Sequence, residues 1–178
     1  IDRVEKSFNE TPLYHLAIPN QEVRISLAGS FADFMSKIQN STRSKGDIYT
    51  ALLNRDFAAL EIAIKSLFAS IPYYLYTNNP MFEREGYFVS VFYAYIKAMG
   101  VAIEVEKSTN KGRIDMVIFY PEAIFVMEFK VNGSNALEQI KEMRYHEQYL
   151  SDGRDIYLVG LEFSSKDKNI GKLEWEKV

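Results

Sequence analysis

The sequence predicts a mixed α/β domain over residues 76–178, preceded by an all-helical segment over residues 1–75. In the first third of the chain, apolar residues recur at helical spacing, whereas after residue 100 short apolar segments alternate with turn residues. The 178 residues are 47% hydrophobic, which is ample material for a packed core. The order of the elements indicates a mixed α/β layer with a hairpin at its centre.

The helical segment is predicted to begin with a short extended arm, "LYHLAIPN". Apolar positions at helical spacing predict an amphipathic helix over about residues 21–39. The polar run 40–46 predicts a loop, and Asp47 is the expected N-cap of a short helix that ends near Asn54. A further apolar stripe then continues the helical run as far as Pro72.

The remaining chain is predicted to fold as helix, three strands, helix and strand, with a short edge strand at the end. The first expected elements are a helix over about 82–99, ended by Gly100, and strands over about 101–106, 113–119 and 124–131. A helix from Asn135 to Leu150 is expected next, opened by a capping box of Asn135 and Glu138. The strand "DIYLVGLEF" and the edge strand "KLEWEKV" then complete the chain.

Composition excludes several classes of chemistry. The chain has no cysteine, which rules out disulfides, thiolate zinc sites and cysteine nucleophiles. A net charge of −3 argues against binding nucleic acid through one extended basic surface. The sequence contains no membrane-length apolar run and no signal-peptide pattern, so a cytoplasmic location without a membrane partner is expected. Because the first residue is Ile1, we expect a piece of a longer protein.

Three charged residues interrupt the apolar hairpin "GRIDMVIFYPEAIFVMEFK". If the loop has an even number of residues, Phe119 pairs with Ile124 and Asp115 lies opposite Glu128 on the neighbouring strand. Lys130 then shares a face of the sheet with Glu128, because side chains alternate along a strand. A loop of odd length would shift the pairing by one residue and separate the two acids.

Two carboxylates in a partly buried site repel each other unless a proton or a divalent cation lies between them. Oxygen ligands of this kind select Mg²⁺ or Mn²⁺ rather than zinc. The neighbouring Lys130 could hold an anionic oxygen, so the residues suit hydrolysis of a phosphodiester. The alternative is an ion network on the sheet face with no catalytic role.

The sequences "GRID" and "MEFK" resemble the core of the PD-(D/E)XK nuclease superfamily. Together with "IPNQEVR", "LFASIPY", "EGYFVSVFYAYIKAMG" and "ALEQIKEMRYHEQY", they resemble the C-terminal nuclease-like region of prokaryotic proteins that carry an AAA-ATPase-like domain upstream. The resemblance implies a restriction-endonuclease-like core, a divalent metal and a nucleic-acid substrate, DNA ahead of RNA. "RID" replaces the "PD" of the superfamily's name, and the sequence lacks the phosphate-loop motif of the upstream ATPase.

The resemblance implies roles for five residues. Asp115 and Glu128 would be metal ligands and Lys130 the catalytic lysine. Glu85 would be the additional acid of the first core helix and a further metal ligand, and Gln139 the catalytic polar residue of the helix after the lysine strand. The alternatives are that Glu85 is an ordinary helix N-terminal glutamate and that Gln139 is an exposed helical residue.

Four further residues are weaker candidates for contact with substrate: Lys111, Arg113, Arg144 and Tyr145. A tyrosine at helical spacing is more commonly a core residue, and Glu106 is a lesser candidate for the same site. Homodimerisation, common among restriction-like enzymes, is a further expectation.

Three functions are compatible with these residues. The first is a Mg²⁺-dependent nuclease within a larger ATPase-linked protein. The second is a catalytically silent module of nuclease fold that binds or regulates an ATPase domain or another protein. The third is a metal-dependent hydrolase of small phosphoesters.

Overall fold

A twisted sheet of five strands with helices on both faces forms the centre of the protein. The computed structural model describes the backbone of residues 3–6, 12–15, 20–36, 41–72, 84–133 and 135–178. The elements in these ranges are β1 (Arg3–Lys6), β2 (Pro12–His15), α1 (Gln21–Ser36), α2 (Ser41–Asn54), α3 (Phe57–Ala69), α4 (Glu85–Ala98), β3 (Ala102–Ser108), β4 (Arg113–Phe119), β5 (Ala123–Val131), α5 (Ala136–Met143), a 3-10 helix (Tyr145–Tyr149), β6 (Asp155–Ser164) and β7 (Asn169–Lys177).

The sheet has the strand order β3-β4-β5-β6-β7. The first three strands form an antiparallel meander, β6 runs parallel to β5, and β7 returns antiparallel to β6 at the edge. A parallel neighbour requires a crossover connection, and α5 supplies it. The predicted mixed α/β class and the order helix, three strands, helix, strand are therefore confirmed. Within the described ranges, no helix combines the length and apolar character needed to cross a bilayer.

The two faces of the sheet carry separate hydrophobic cores. On one face, α2, α3 and α4 pack on a layer rich in aromatic rings. Phe57 of α3 stacks on Trp175 with ring centroids 4.2 Å apart, and Phe163 lies 4.5 Å from Phe88 and 5.0 Å from Phe68. On the other face, α5 and the 3-10 helix cover the aliphatic side chains of β4, β5 and β6. The helices α2 and α3 thus share one core with the sheet.

The prediction of an all-helical segment over residues 1–75 is wrong at its start, where the structure has two short strands, but the predicted extended arm "LYHLAIPN" overlaps the second of them, β2. β1 and β2 pair antiparallel, with Arg3 opposite His15. Strands of four residues are too short to give a clear alternation in the sequence. The predicted boundary between residues 75 and 76 lies in 73–83, outside the described residues.

The predicted loop over residues 40–46 is also wrong. Helix α2 begins at Ser41, so Asp47 lies inside the helix and is not its N-cap. The run is polar, but its serine, arginine and lysine are tolerated on a helix, and polarity alone does not indicate a loop. The side-chain cap lies at the start of α3 instead, where Asp56 accepts a hydrogen bond of 2.9 Å from the backbone N–H of Ala59.

The predicted capping box of Asn135 and Glu138 does not form. Asn135 has a left-handed backbone with φ of 77° and makes no side-chain cap bond. Its backbone N–H instead donates a hydrogen bond of 2.7 Å to Glu162 on β6. The predicted helix to Leu150 ends at Met143, because Arg144 takes φ of 51° and the chain continues as the 3-10 helix.

Helix α5 approaches the sheet most closely over Gly160 of β6. A Cβ added at Gly160 would lie 2.5 Å from the backbone N of Leu137, which is too close for any side chain. Gly160 pairs with Glu128 on β5, so the contact fixes α5 directly over that residue. A glycine inside a strand commonly marks such an approach of another backbone.

Replacing this glycine is expected to push α5 off the sheet. Gly160→Ala should lower the free energy of unfolding by about 2–3 kcal/mol, because the colliding atom belongs to the backbone and cannot move aside. The matched control is Gly171→Ala on β7, where the nearest atom to an added Cβ is 3.6 Å away. Urea unfolding of both variants checks this, and equal losses would contradict it.

Candidate active site

The hairpin of β4 and β5 places Asp115 and Glu128 side by side. Phe119 pairs with Ile124, as predicted, and the ladder continues to Met116 opposite Met127. The regular pairing of the two strands ends at that row, and Asp115 and Glu128 are the next residue on each strand. At this position the side chain of Asp115 links the two strands, because its Oδ2 accepts a hydrogen bond of 2.9 Å from the backbone N–H of Phe129.

Among the residues that the structure describes, Glu128 is the only charged residue that is buried, with 2% of its surface exposed. Its Oε1 accepts a hydrogen bond of 2.9 Å from Lys130 Nζ and another from Gln139 Nε2 on α5. Its Oε2 is also buried and has no hydrogen-bond partner. A buried carboxylate oxygen without a partner is costly, so a cation, or a proton shared with Asp115, would be stabilised at this atom.

Lys130 links β5 to the first turn of α4. Its Nζ lies 2.9 Å from Glu128 Oε1 and 3.8 Å from Glu85 Oε2. Burial lowers the pKa of Lys130, but the hydrogen bond and charge of Glu128, with the charges of Glu85 and Asp115, raise it overall. Lys130 is therefore an ammonium ion.

The three acidic side chains share one electrostatic environment. Burial and the charge of Asp115 raise the pKa of Glu128 to about 7, against the pull of Lys130. Burial also raises the pKa of Asp115 and of Glu85, although Lys130 lowers both. One ammonium ion therefore does not offset three carboxylates, and the site favours additional positive charge.

The residues fit a divalent cation held by two carboxylates. Among the described residues, no three acidic or histidine side chains form a ready-made metal cage. Mg²⁺ does not require one, because it commonly binds through one or two carboxylates, waters and substrate phosphates. Asp115 and the free Oε2 of Glu128 supply such a pair, while Glu85 is held by Lys130.

Comparison with known proteins identifies the family. The model of the PD-(D/E)XK nuclease superfamily matches residues 83–173, slightly more than half of the chain and all five strands of the sheet except the end of β7. The chain belongs to the PD-(D/E)XK nuclease superfamily. Its mixed sheet and flanking helices are consistent with the restriction-endonuclease-like fold.

A longer bacterial relative also matches. The chain is 36% identical over 164 residues to an "Uncharacterized protein in vnfD 5'region" of Azotobacter chroococcum mcd 1. The match covers 89% of this chain but 32% of the relative, so the chain spans about a third of that protein's length. No solved structure matches the chain.

The five residues predicted to have catalytic or metal-binding roles lie in one cluster. Glu128 contacts Lys130 and Gln139, Lys130 pairs with Glu85, and Asp115 acts on the pKa of Glu128 and of Glu85. Whether these residues catalyse a reaction stays a prediction. Gln139 is half-buried at the cluster, so it is not the exposed helical residue of the alternative.

The four weaker candidates divide into two groups. Arg113 lies near the cluster, because its charge lowers the pKa of both Asp115 and Glu85. Its side chain is 60% exposed, and its guanidinium lies 3.6 Å from the carboxylate of Glu106, whose backbone has φ of 50°. Such a left-handed residue inside a strand is strained, and it occurs beside the candidate site.

The other three candidates lie around the 3-10 helix. Lys111 and Arg144 both pair with Glu147, at 3.8 Å and 3.3 Å. Tyr145 is only 2% exposed and packs under Gly112, where an added Cβ would be 2.8 Å from its hydroxyl. The ring belongs to the core beneath the β3–β4 turn, which favours the alternative of a core tyrosine, and contact of Tyr145 with substrate stays a prediction.

Two residues that position the site were not identified from the sequence. Glu162 holds the start of α5 through the N–H of Asn135, and Gly160 lets α5 approach the sheet, so together they place Gln139 against Glu128. The glycine within the apolar run "YLVGLEF" is a usable signal of close approach. The role of Glu162 depends on strand pairing and has no local signal.

Neutralising Glu128 is expected to stabilise the metal-free protein at high pH. The pKa of Glu128 is raised to about 7 in the folded protein, so the folded state holds this proton more tightly than the unfolded state does. The stability that the neutral acid contributes is complete below about pH 4.5 and is lost as the pH rises through about 7. Glu128→Gln should therefore gain about 1–3 kcal/mol over the wild type at pH 8.

Chemical denaturation in EDTA at pH 5 and pH 8 measures this difference. The control is Glu138→Gln on α5, an exposed glutamate that should change stability little at either pH. A Glu128→Gln variant less stable than the wild type at pH 8 would show that the buried charge is better satisfied than its contacts indicate.

Proposed function

We propose that this chain is a Mg²⁺- or Mn²⁺-dependent nuclease that hydrolyses phosphodiester bonds of nucleic acid, with DNA as the preferred substrate. One observation carries the proposal: Glu128 has a buried Oε2 without a hydrogen-bond partner, while its Oε1 accepts from the ammonium of Lys130 and the charge of nearby Asp115 raises its pKa. Membership of a nuclease superfamily supports the reaction class.

Asp115 and Glu128 are the residues that would hold the cation. The bound ion would polarise a phosphate oxygen and make water a better nucleophile. Asp115 is oriented by the N–H of Phe129, and Glu128 is oriented by Gln139, so both carboxylates are set before substrate arrives. Such preorganisation avoids rearrangement during the reaction.

Lys130 supplies a fixed positive charge for the phosphate. It is protonated, so it donates hydrogen bonds and does not act as a base in this state. Its pairing with Glu85 is long, at 3.8 Å, and 26% of the side chain is exposed, so an anionic oxygen could take the place of Glu85. Glu85 would then serve as a positioning residue or bind the cation.

The chain is further proposed to work as the C-terminal part of a larger cytoplasmic protein that contains an AAA-ATPase-like domain. Support comes from the relative, which is about three times as long as the matched region. The net charge of −3 is also consistent with substrate being delivered by another part of such a protein, since this chain lacks the charge balance for strong binding of its own.

Cleavage assays test the proposal directly. With Mg²⁺ or Mn²⁺, the wild type should cut DNA, and Asp115→Asn, Glu128→Gln and Lys130→Met should each lose at least about 100-fold in rate, because each removes a group that stabilises charge at the phosphate. The matched controls are Glu138→Gln and Lys172→Met, which remove the same charges from exposed positions. Cleavage that survives in the three site variants would refute this function.

RNA and a chromogenic phosphodiester serve as parallel substrates in these assays. Turnover of the small phosphodiester without cleavage of nucleic acid would assign the site to small phosphoesters instead.

Metal binding separates an active enzyme from a silent module. Saturating Mn²⁺ should raise the stability of the wild type, by about 2.7 kcal/mol at a hundred times the dissociation constant. Asp115→Asn and Glu128→Gln should lose this gain, whereas Lys130→Met should keep it because it removes no oxygen ligand. Calorimetric titration measures the Mn²⁺ affinity of the wild type and of each variant. A wild type that binds no Mn²⁺ would favour the silent module.

A further inference from the structure

A polar cavity lies at the opposite end of α4 from Glu85. It has a volume of about 360 Å³ and opens between the start of α1 and the end of α4. Its walls include Asn20, Gln21, Arg24, Lys97 and Gly100, and the remaining lining residues are apolar. The walls therefore contain two cations and no acid.

The two cations differ from most basic residues of the protein. Most basic side chains that the structure describes form an ion pair with a carboxylate, including those on exposed strands such as Lys172 and Lys177. Arg24 and Lys97 form no ion pair with any described carboxylate. They face one cavity, and burial together with the charge of Arg24 lowers the pKa of Lys97. Two like charges in one cavity are unfavourable unless an anion joins them.

The rest of the wall is held in place. Asn20 caps α1, with its Oδ1 accepting a hydrogen bond of 2.9 Å from the N–H of Val23. The first turn of α1 lies at one wall of the cavity and the last turn of α4 at the other. Gln21 Nε2 donates a hydrogen bond of 3.2 Å to Gly100 O, which ties the two helix ends together.

We propose that this cavity, between Arg24 and Lys97, binds a phosphate group. Arg24 would contribute a planar donor suited to two phosphate oxygens, and Lys97 a compact charge. The phosphate could belong to the backbone of a nucleic acid or to a small phosphorylated compound. Both present negatively charged phosphate oxygens to Arg24 and Lys97.

The cavity is separate from the candidate active site. Lys97 lies twelve residues after Glu85 on the same helix, which corresponds to about 18 Å along its axis. A phosphate in the cavity therefore cannot be the one next to Lys130. The proposal does not depend on catalysis, and it would hold for a silent module as well as for a nuclease.

Lys97 also has a structural role that the test must separate from binding. It lies in the last turn of α4, where a cation stabilises the carbonyl end of the helix. Replacing it can therefore lower stability without any ligand. Arg24 is exposed on the first turn of α1 and has no such role, so its variant tests binding alone.

Titration of the metal-free protein with inorganic phosphate tests the site. Arg24→Gln and Lys97→Gln should each weaken phosphate binding by about tenfold, the usual effect of losing one charged hydrogen bond. Lys166→Gln is the matched control, because Lys166 is exposed, unpaired among the described residues and outside the cavity. Thermal unfolding of each variant shows whether it still folds.

A second arm distinguishes the sources of the phosphate. Binding of a fluorescent DNA oligonucleotide is measured in EDTA, so that no cleavage occurs, at several salt concentrations. If the site holds a backbone phosphate, Arg24→Gln should weaken DNA binding and reduce the slope of log affinity against log salt by about one.

Loss of inorganic phosphate binding with unchanged DNA binding would assign the site to a small phosphorylated ligand. The proposal is overturned if the wild type binds no phosphate, or if Arg24→Gln and Lys97→Gln bind it as well as Lys166→Gln does. Neither result bears on cleavage, so failure here is distinguishable from failure of the proposed nuclease.

Discussion

Glu128 is a carboxylate inside a sheet, and the elements around it are arranged to orient that one group. Lys130 and Gln139 both donate to the same oxygen, so the second oxygen is left buried without a hydrogen-bond partner. Holding a charge in this way is unfavourable in the isolated protein, as the raised pKa of about 7 indicates. The cluster is thus a strained arrangement that a cation would relieve, and the surrounding fold must be stable enough to maintain it.

That stability comes from both faces of the sheet. The contact of Leu137 with Gly160 presses α5 against the strand next to Glu128, and Glu162 anchors the first residue of the same connection. On the opposite face, α4 brings Glu85 to Lys130 while its buried aromatic side chains pack on the sheet. Each candidate side chain is therefore carried by an element whose position is determined by apolar packing. This separation allows unfavourable charges to be kept at the site without loosening the fold.

The sequence predicted the sheet well because its strands are long and apolar. The bounds of β4 matched, β5 began one residue earlier than expected, and the even loop put Asp115 beside Glu128. The N-terminal region was predicted less well, since four-residue strands and the polar first turn of α2 carry little periodic signal. The capping box failed for another reason: Glu162, distant in sequence, satisfies the backbone of Asn135 better than a local side chain.

The common core of α2, α3 and the sheet limits how this protein can be shortened. Phe57, Leu60 and Phe68 cover aromatic rings that belong to strands of the nuclease-type sheet. A fragment beginning at residue 76 would leave those rings open to water and prone to self-association. The helices α2 and α3 cover this face of the sheet, and recombination that moves the strands of the candidate site into another protein would have to move α2 and α3 with them or supply a substitute.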